Sequence, residues 1–348
     1  MTVYGQGMNE PIAPSEPDNP LPSSSVEDVM RDELAYGDAT LGTVGPILGH
    51  LVLNHDHSLF SDEIVARVRG MLASVAHQLI DIETVQAGSI ERKPGDVKGG
   101  GEGDAANSDL EIKAERLESL TNAIAADAGF LQHCHSLAIE YQLAAHLKAR
   151  NSLDPVLSPL IQAMIADKDK STASIAMATL AAQARFMQQQ RRMVLPLAEL
   201  RANLAQHAVQ CWRSGSSVTD DDMLTKIMNA QRSASDETRS RLGLIRQLLD
   251  TMARTTSGGL AGSLSIPHAG LSIFISALGA TGGITREDAA LITNDRQMAR
   301  LALTLRGAGL QAQAVQEQFH YLHPNIELPA DFDTLRPDRA RDMLGARS

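Results

Sequence analysis

With 348 residues, a net charge of −11 and only 3% aromatic residues, the chain has room for about two packing units and little with which to hold nucleic acid. Phosphate-tracking proteins gather Lys and Arg on one face and single-strand binders stack bases on aromatic rings, so neither class fits this composition. Two cysteines make no disulfide framework, no run nears the roughly 20 apolar residues of a membrane span, and the first residues carry no basic, apolar leader, so a cytoplasmic protein is expected.

Residues 1–24 are rich in Pro, Ser and acidic groups and offer nothing to bury, which reads as a disordered tail. A helical segment is expected over 25–87. His50, His55 and His57 cluster there in HLVLNHDHS, but no i, i+4 His pair and no HExxH accompanies them, so they read as solvated helix-end residues. The clearest helix runs from Ser61 to Gln86. Ile64, Val68, Leu72, Val75, Leu79 and Ile82 step by three or four residues and form one apolar stripe. His77 lies opposite that stripe, with Asp81 one turn on. An exposed helical His oriented by a carboxylate suits phosphotransfer, and AHQL is similar to the phosphoacceptor helix of histidine kinases. His77 and Asp81 are therefore a candidate phosphoacceptor pair, although no ATP-binding signature accompanies them.

The stretch 88–107, containing PGDVKGGGEGDAANS, reads as a flexible linker. A helical-repeat domain is expected from 108 to 323, followed by a C-terminal extension over 324–348. Its first helix starts near Ser108 and places Leu110, Ala114, Leu117, Ile124 and Ala128 inward. The next runs from Gly129 to about Ala149. His133-Cys134-His135 has the residue types of a metal site, but helical residues two apart point to different sides, and His135 and His146 are separated by about 16 Å along the axis. Cys134, with Leu137 and Tyr141, reads as an ordinary core thiol. Shorter helices follow near 154–166, 171–193, 196–212, 219–231, 235–255, 269–281, 285–293, 295–306 and 310–321. Pro155, Pro159, Pro196, Pro267 and the glycines at 258, 259, 307 and 309 punctuate them.

Acidic clusters fall at helix starts. Ser108 to Glu111, Thr219 to Asp222 and Thr285 to Asp288 each put Ser or Thr three residues before a carboxylate, close to a capping box, where negative charge also suits the helix dipole. Asp220-Asp221-Asp222 lacks the DDxxD spacing of a diphosphate–magnesium site, Asn294-Asp295 lacks further ligands, and Glu317 with His320 supplies only one of the ExxH motifs a di-iron bundle needs. No nucleophile elbow or phosphate loop is present. The residues thus point to no catalytic group, no cofactor and no metal.

LSPLIQAMIADKD followed by STASIAMATLAAQ resembles one HEAT-type repeat. The stretch from about 150 to 323, through AMATLAAQARFMQQQRRMVLPLAEL and FISALGATGGITREDAALITNDRQMARLALTLRGAGL, resembles a bacterial family of helical proteins recorded as a domain of unknown function. That resemblance implies an all-α chain of stacked short helices, α-solenoid or HEAT-like, and transfers no catalytic residue.

The helix at 171–193 is apolar almost all round from Ile175 to Met187, so it is expected to be largely buried. Against it, Arg185, Gln189 and Arg192 form a polar line that could receive a carboxylate or phosphate of a partner through bidentate guanidinium contacts. The alternative is structural: Arg191 and Arg192 complement the helix dipole and Arg185 pairs internally. The function expected is an intracellular protein-interaction or regulatory scaffold whose partner is another protein. The alternatives are a histidine phosphotransfer component using His77 and, third, a metal-dependent helical enzyme.

Overall fold

The computed structural model describes residues 25–53, 61–90, 102–150, 153–215, 238–255 and 260–345. The expected tail 1–24, the helix at 219–231 with its Asp220 to Asp222 cap, His55, His57 and glycines 258 and 259 lie outside them. The described residues form fourteen α-helices and no strand.

Two long helices open the chain, α1 (Val26–Leu53) and α2 (Asp62–Ile90), followed by α3 (Glu102–Ala125). Helix therefore covers both ends of the stretch expected to be a linker, and Ser108 sits inside α3 rather than capping it. From there, side-chain oxygens set the helix starts. Asp127 accepts the Phe130 N–H at 2.7 Å to open α4 (Ala128–Ala149). Ser158 caps α5 (Pro159–Ile165), whose first residue is a proline, the position where its missing N–H costs nothing. Asp169 accepts from Ser171 and Thr172 at the head of α6 (Lys170–Arg191). A 3-10 turn led by Pro196 precedes α7 (Ala202–Gly215), and α8 (Arg241–Thr255) resumes after it.

The remaining helices are short. α9 (Ile266–Ala269) and α10 (Leu271–Gly282) meet at Gly270, and α10 stops at Gly283, where φ of +64° suits a residue without Cβ. Thr285 caps α11 (Arg286–Leu291) as expected, accepting from the Asp288 N–H at 3.0 Å. Asn294 caps a 3-10 turn that leads into α12 (Met298–Gly307), and α13 (Ala312–Leu322) follows. The last helix, α14 (Pro337–Gly345), packs on α12 with Phe332, Leu335 and Ala340 buried. The expected C-terminal extension is thus part of the core.

Buried apolar side chains fall into two clusters. The first joins the predicted stripe of α2 to α3, α7 and the first half of α4, with Val68, Leu72, Val75, Ile124, Phe130 and Trp212 at its centre. Ala114, expected inside, is exposed. Truncating a side chain as enclosed as Leu72 to Ala costs about 2–5 kcal/mol. The second cluster joins α5, α8 and α10 to α14, with Met30 and Leu34 of α1 and with Ala144 and Leu147 from the second half of α4. Packing is not confined to sequence neighbours. Helix α1 lies on α12, where Gln297 donates to the Gly37 carbonyl and Arg300 pairs with Asp38.

Two helices belong to both clusters. Besides α4, α6 contributes Ala176 to the second and Phe186 to the first. Just past α6, Met193 takes φ of +56°, a left-handed conformation rare for a side chain of its size, and drives its Cβ toward Gly70 of α2. A Cβ on Gly70 would stand 2.6 Å from it, so the approach of these elements depends on that glycine.

Candidate functional site

Polar side chains collect where the two clusters meet. Glu140 and His133 are two turns apart on α4 and share a face. Glu140 is 1% exposed and receives Arg241 through both carboxylate oxygens, at 2.6 and 2.9 Å, and Arg286 at 2.5 Å. Arg241 Nη1 also donates to Gln183 Oε1 and Ser272 Oγ, and its guanidinium lies 3.7 Å above the Phe186 ring centroid. Burial pushes the Glu140 carboxyl up, but the two guanidinium groups outweigh it and hold the group well below the usual carboxylate range. Next to it, Glu287 accepts from Arg201 at 2.7 Å and lies 3.0 Å from His133 Nδ1. Burial keeps His133 neutral despite that carboxylate. With Nδ1 carrying the proton toward Glu287, Nε2 is left as an acceptor with no partner.

This network is structural chemistry rather than a reaction centre. Every carboxylate in it is already engaged, so none is free to take a proton from a substrate. Sequence pattern alone does not show it: Arg286 and Glu287 read with Asp288 as a capping cluster, whereas only Thr285 and Asp288 form the cap. The legible signal was a Glu inside the apolar run LAIEYQLAAHL, which needs a partner if buried.

The inner face of α6 is fastened to this seam. Gln183 and Phe186 hold Arg241, and the Gln190 carbonyl accepts from Arg67 of α2 at 2.5 Å. Its outer face is open. Ser174, Met177, Ala181, Arg185 and Gln188 recur at three or four residues, all exposed, with Met177 at 59%. The expectation of a helix buried all round is thus corrected: Thr172, Ala176, Thr179, Ala182, Gln183, Phe186 and Gln190 are enclosed and the opposite side is not.

Arg185 and Arg192 are both exposed and make no ion pair among the described residues, so the internal pairing weighed for Arg185 is not found there. Arg192 is the residue just past the last turn of α6; the Gln189 carbonyl is met by the backbone N–H groups of Arg192 and Val194, and the Gln190 carbonyl by the Met193 N–H and the Arg67 guanidinium. Gln189 departs from the expected line. It is half-buried and borders a small cavity beside His133 and Gln190.

The other candidates separate cleanly. His77 and Asp81 are exposed at 52% and 57%, with Nδ1 3.6 Å from Oδ2, and Lys113 of α3 approaches the same carboxylate at 3.7 Å. His133, Cys134 and His135 are all buried, since α4 is enclosed on every side in this stretch. Burial pushes the Cys134 thiol up, which leaves it unreactive, and lowers His135 to about 4. Cys211 Sγ lies 3.4 Å from His207 Nε2, but burial and Asp127 raise its thiol too, so the pair is not an activated thiolate. Glu317 and His320 are both exposed on α13. Among the described residues no group of three or more His, Cys, Asp or Glu stands close enough to hold a metal ion, and no helix is long and apolar enough to cross a membrane.

The chain matches no protein-family model, no curated protein and no solved structure.

Proposed function

We propose that this protein is a protein-interaction scaffold that docks an acidic, partly apolar segment of another protein on the outer face of α6. The observation that carries this reading is the exposed Met177 in line with Arg185, followed at the helix end by Arg191 and Arg192, three arginines with no counter-ion among the described residues on a chain of net charge −11. An unbranched thioether adapts to varied apolar surfaces. Guanidinium groups beside it favour carboxylates and set orientation. The helix beneath is held on its inner side by Gln183, Phe186 and Gln190, so the face is presented on a rigid support.

The test is affinity purification from the native host with the full chain and with the variant Met177→Glu/Arg185→Glu/Arg192→Glu. A specific partner recovered with the native chain and lost with the variant is expected. Equal recovery by both would remove the outer face of α6 from the account.

A second reading, phosphotransfer through His77, draws on the exposure of its ring and the nearby Asp81. Incubating the protein with a phosphorylated response regulator should label the native chain and not His77→Ala. Absence of label on the native chain ends this reading.

A further inference from the structure

His207 and Cys211 stand one turn apart on α7 and share a face. The Cys211 Sγ lies 3.4 Å from His207 Nε2. Both residues are half-buried, and a cleft of about 240 Å³ between α3 and α7 opens onto Cys211, bordered by Ser119 and Leu120 on one helix and Trp212 and Ser214 on the other. Solvent therefore reaches this thiol, whereas Cys134, the other cysteine of the chain, is enclosed. The imidazole is steadied by the buried Phe130 ring, the two centroids standing 6.4 Å apart.

A third donor comes from the main chain. The Ala123 carbonyl, in the last turn of α3, lies 3.6 Å from Cys211 Sγ. The N–H groups that follow it go to its neighbours, Ala126 to the Asn122 carbonyl and Asp127 to that of Ile124. Ala123 thus presents one of the orphan oxygens of a helix C-terminus, where the dipole favours positive charge. Asp127 adds negative charge. Burial first and Asp127 second raise the Cys211 thiol, and a field that opposes a bare thiolate favours a cation beside it.

The distances fit one coordination geometry. At zinc's usual bond lengths, about 2.3 Å to sulfur and about 2.1 Å to nitrogen or oxygen, the 3.4 Å separation of sulfur and nitrogen subtends about 100° at the ion. The 3.6 Å separation of sulfur and carbonyl oxygen subtends about 110°. Both are close to tetrahedral. A linear ion with the same bond lengths would need sulfur and nitrogen about 4.4 Å apart. Magnesium and calcium, which seek oxygen, gain nothing from a thiolate.

We infer that His207, Cys211 and the Ala123 carbonyl form a site for one zinc-class divalent cation, with water in the fourth position. Binding displaces the thiol proton to solvent, and His207 offers Nε2 with its own proton on Nδ1. With only two side chains among its donors, the site is weaker than a structural centre of four. None of its residues lies on α6, so it stands or falls apart from the scaffold reading.

Cobalt(II) titration of the reduced full chain, first stripped with chelator, tests it. One equivalent is expected to give thiolate-to-cobalt charge-transfer absorption together with the intense visible bands of a tetrahedral ion, both removed by zinc and neither by magnesium. Cys211→Ser should abolish the charge transfer, and because Cys134 remains in that variant, a signal that persists there places the metal elsewhere. His207→Ala should weaken cobalt about tenfold or more, since losing a ligand costs no less than losing an outer-shell partner, with helical circular dichroism as in the native chain. Absence of charge transfer in the native chain, an octahedral spectrum, persistence of the band in Cys211→Ser, or undiminished affinity in folded His207→Ala would each overturn it.

Discussion

Arg241 and Arg185 both touch or belong to α6, and their fates are opposite. Arg241 is 3% exposed and has every reason to stay: two bonds to Glu140, one each to Gln183 and Ser272, and an aromatic face beneath it. Arg185 stands in solvent on the other side of the helix with none of these. A cation removed from water must find compensation inside the protein, while one left in water needs none and remains available to a partner. The same helix therefore serves the fold through one face and can serve recognition through the other.

The largest effect is expected at the buried side. Arg241→Ala leaves the Glu140 carboxylate enclosed with one cation fewer and should cost about 3–5 kcal/mol, measured by urea unfolding with Trp212 as the probe. A loss under about 1 kcal/mol would mean that Glu140 is not held as described.

Acid should act on buried groups of α4, both beside the seam and within it. His135 titrates near 4 in the fold, against about 6.5 when unfolded, so between those values the unfolded chain binds the extra proton and stability falls as pH falls. The loss from this residue approaches about 3 kcal/mol by pH 4, with His133 adding in the same direction. Below about 4.5, protonation of Glu140 and Glu287, both depressed in the fold, lowers it further. His135→Leu should flatten the slope between pH 6.5 and 4. An unchanged slope would place the acid response elsewhere.

A smaller effect is expected where α2 meets the end of α6. Gly70→Ala brings a new Cβ against that of Met193 and should cost about 1–3 kcal/mol. Combining it with Met193→Gly removes the collision and the left-handed strain together, and should recover most of the loss. At the bottom of the scale, Met177→Glu/Arg185→Glu/Arg192→Glu should change unfolding free energy by no more than about 1 kcal/mol, because none of these side chains packs inside.

How much of this was legible follows from what each signal measures. The apolar stripe of α2 and the cap at Thr285 are local, and spacing alone placed them. The α6 arginines were also legible, as charges at helical spacing. Their lack of a partner among the described residues was not, since only packing shows it. The seam joins residues up to 154 positions apart, such as His133 and Glu287, and no local pattern announces such a pairing. Met177 illustrates the limit from the other direction. In an apolar helix it reads as core, and it is exposed because, among the described residues, α6 is enclosed on the opposite face. Gln189 failed for a related reason: three residues short of Arg192, it has rotated toward the seam.

The most direct test of the α6 account places a photo-crosslinking amino acid at position 177 in the native host, with position 317, exposed on α13, as the comparison. The account predicts adducts to one partner protein at 177, within a segment rich in Asp and Glu, and none at 317. Adducts of the same kind at both positions, or none at 177, would contradict it.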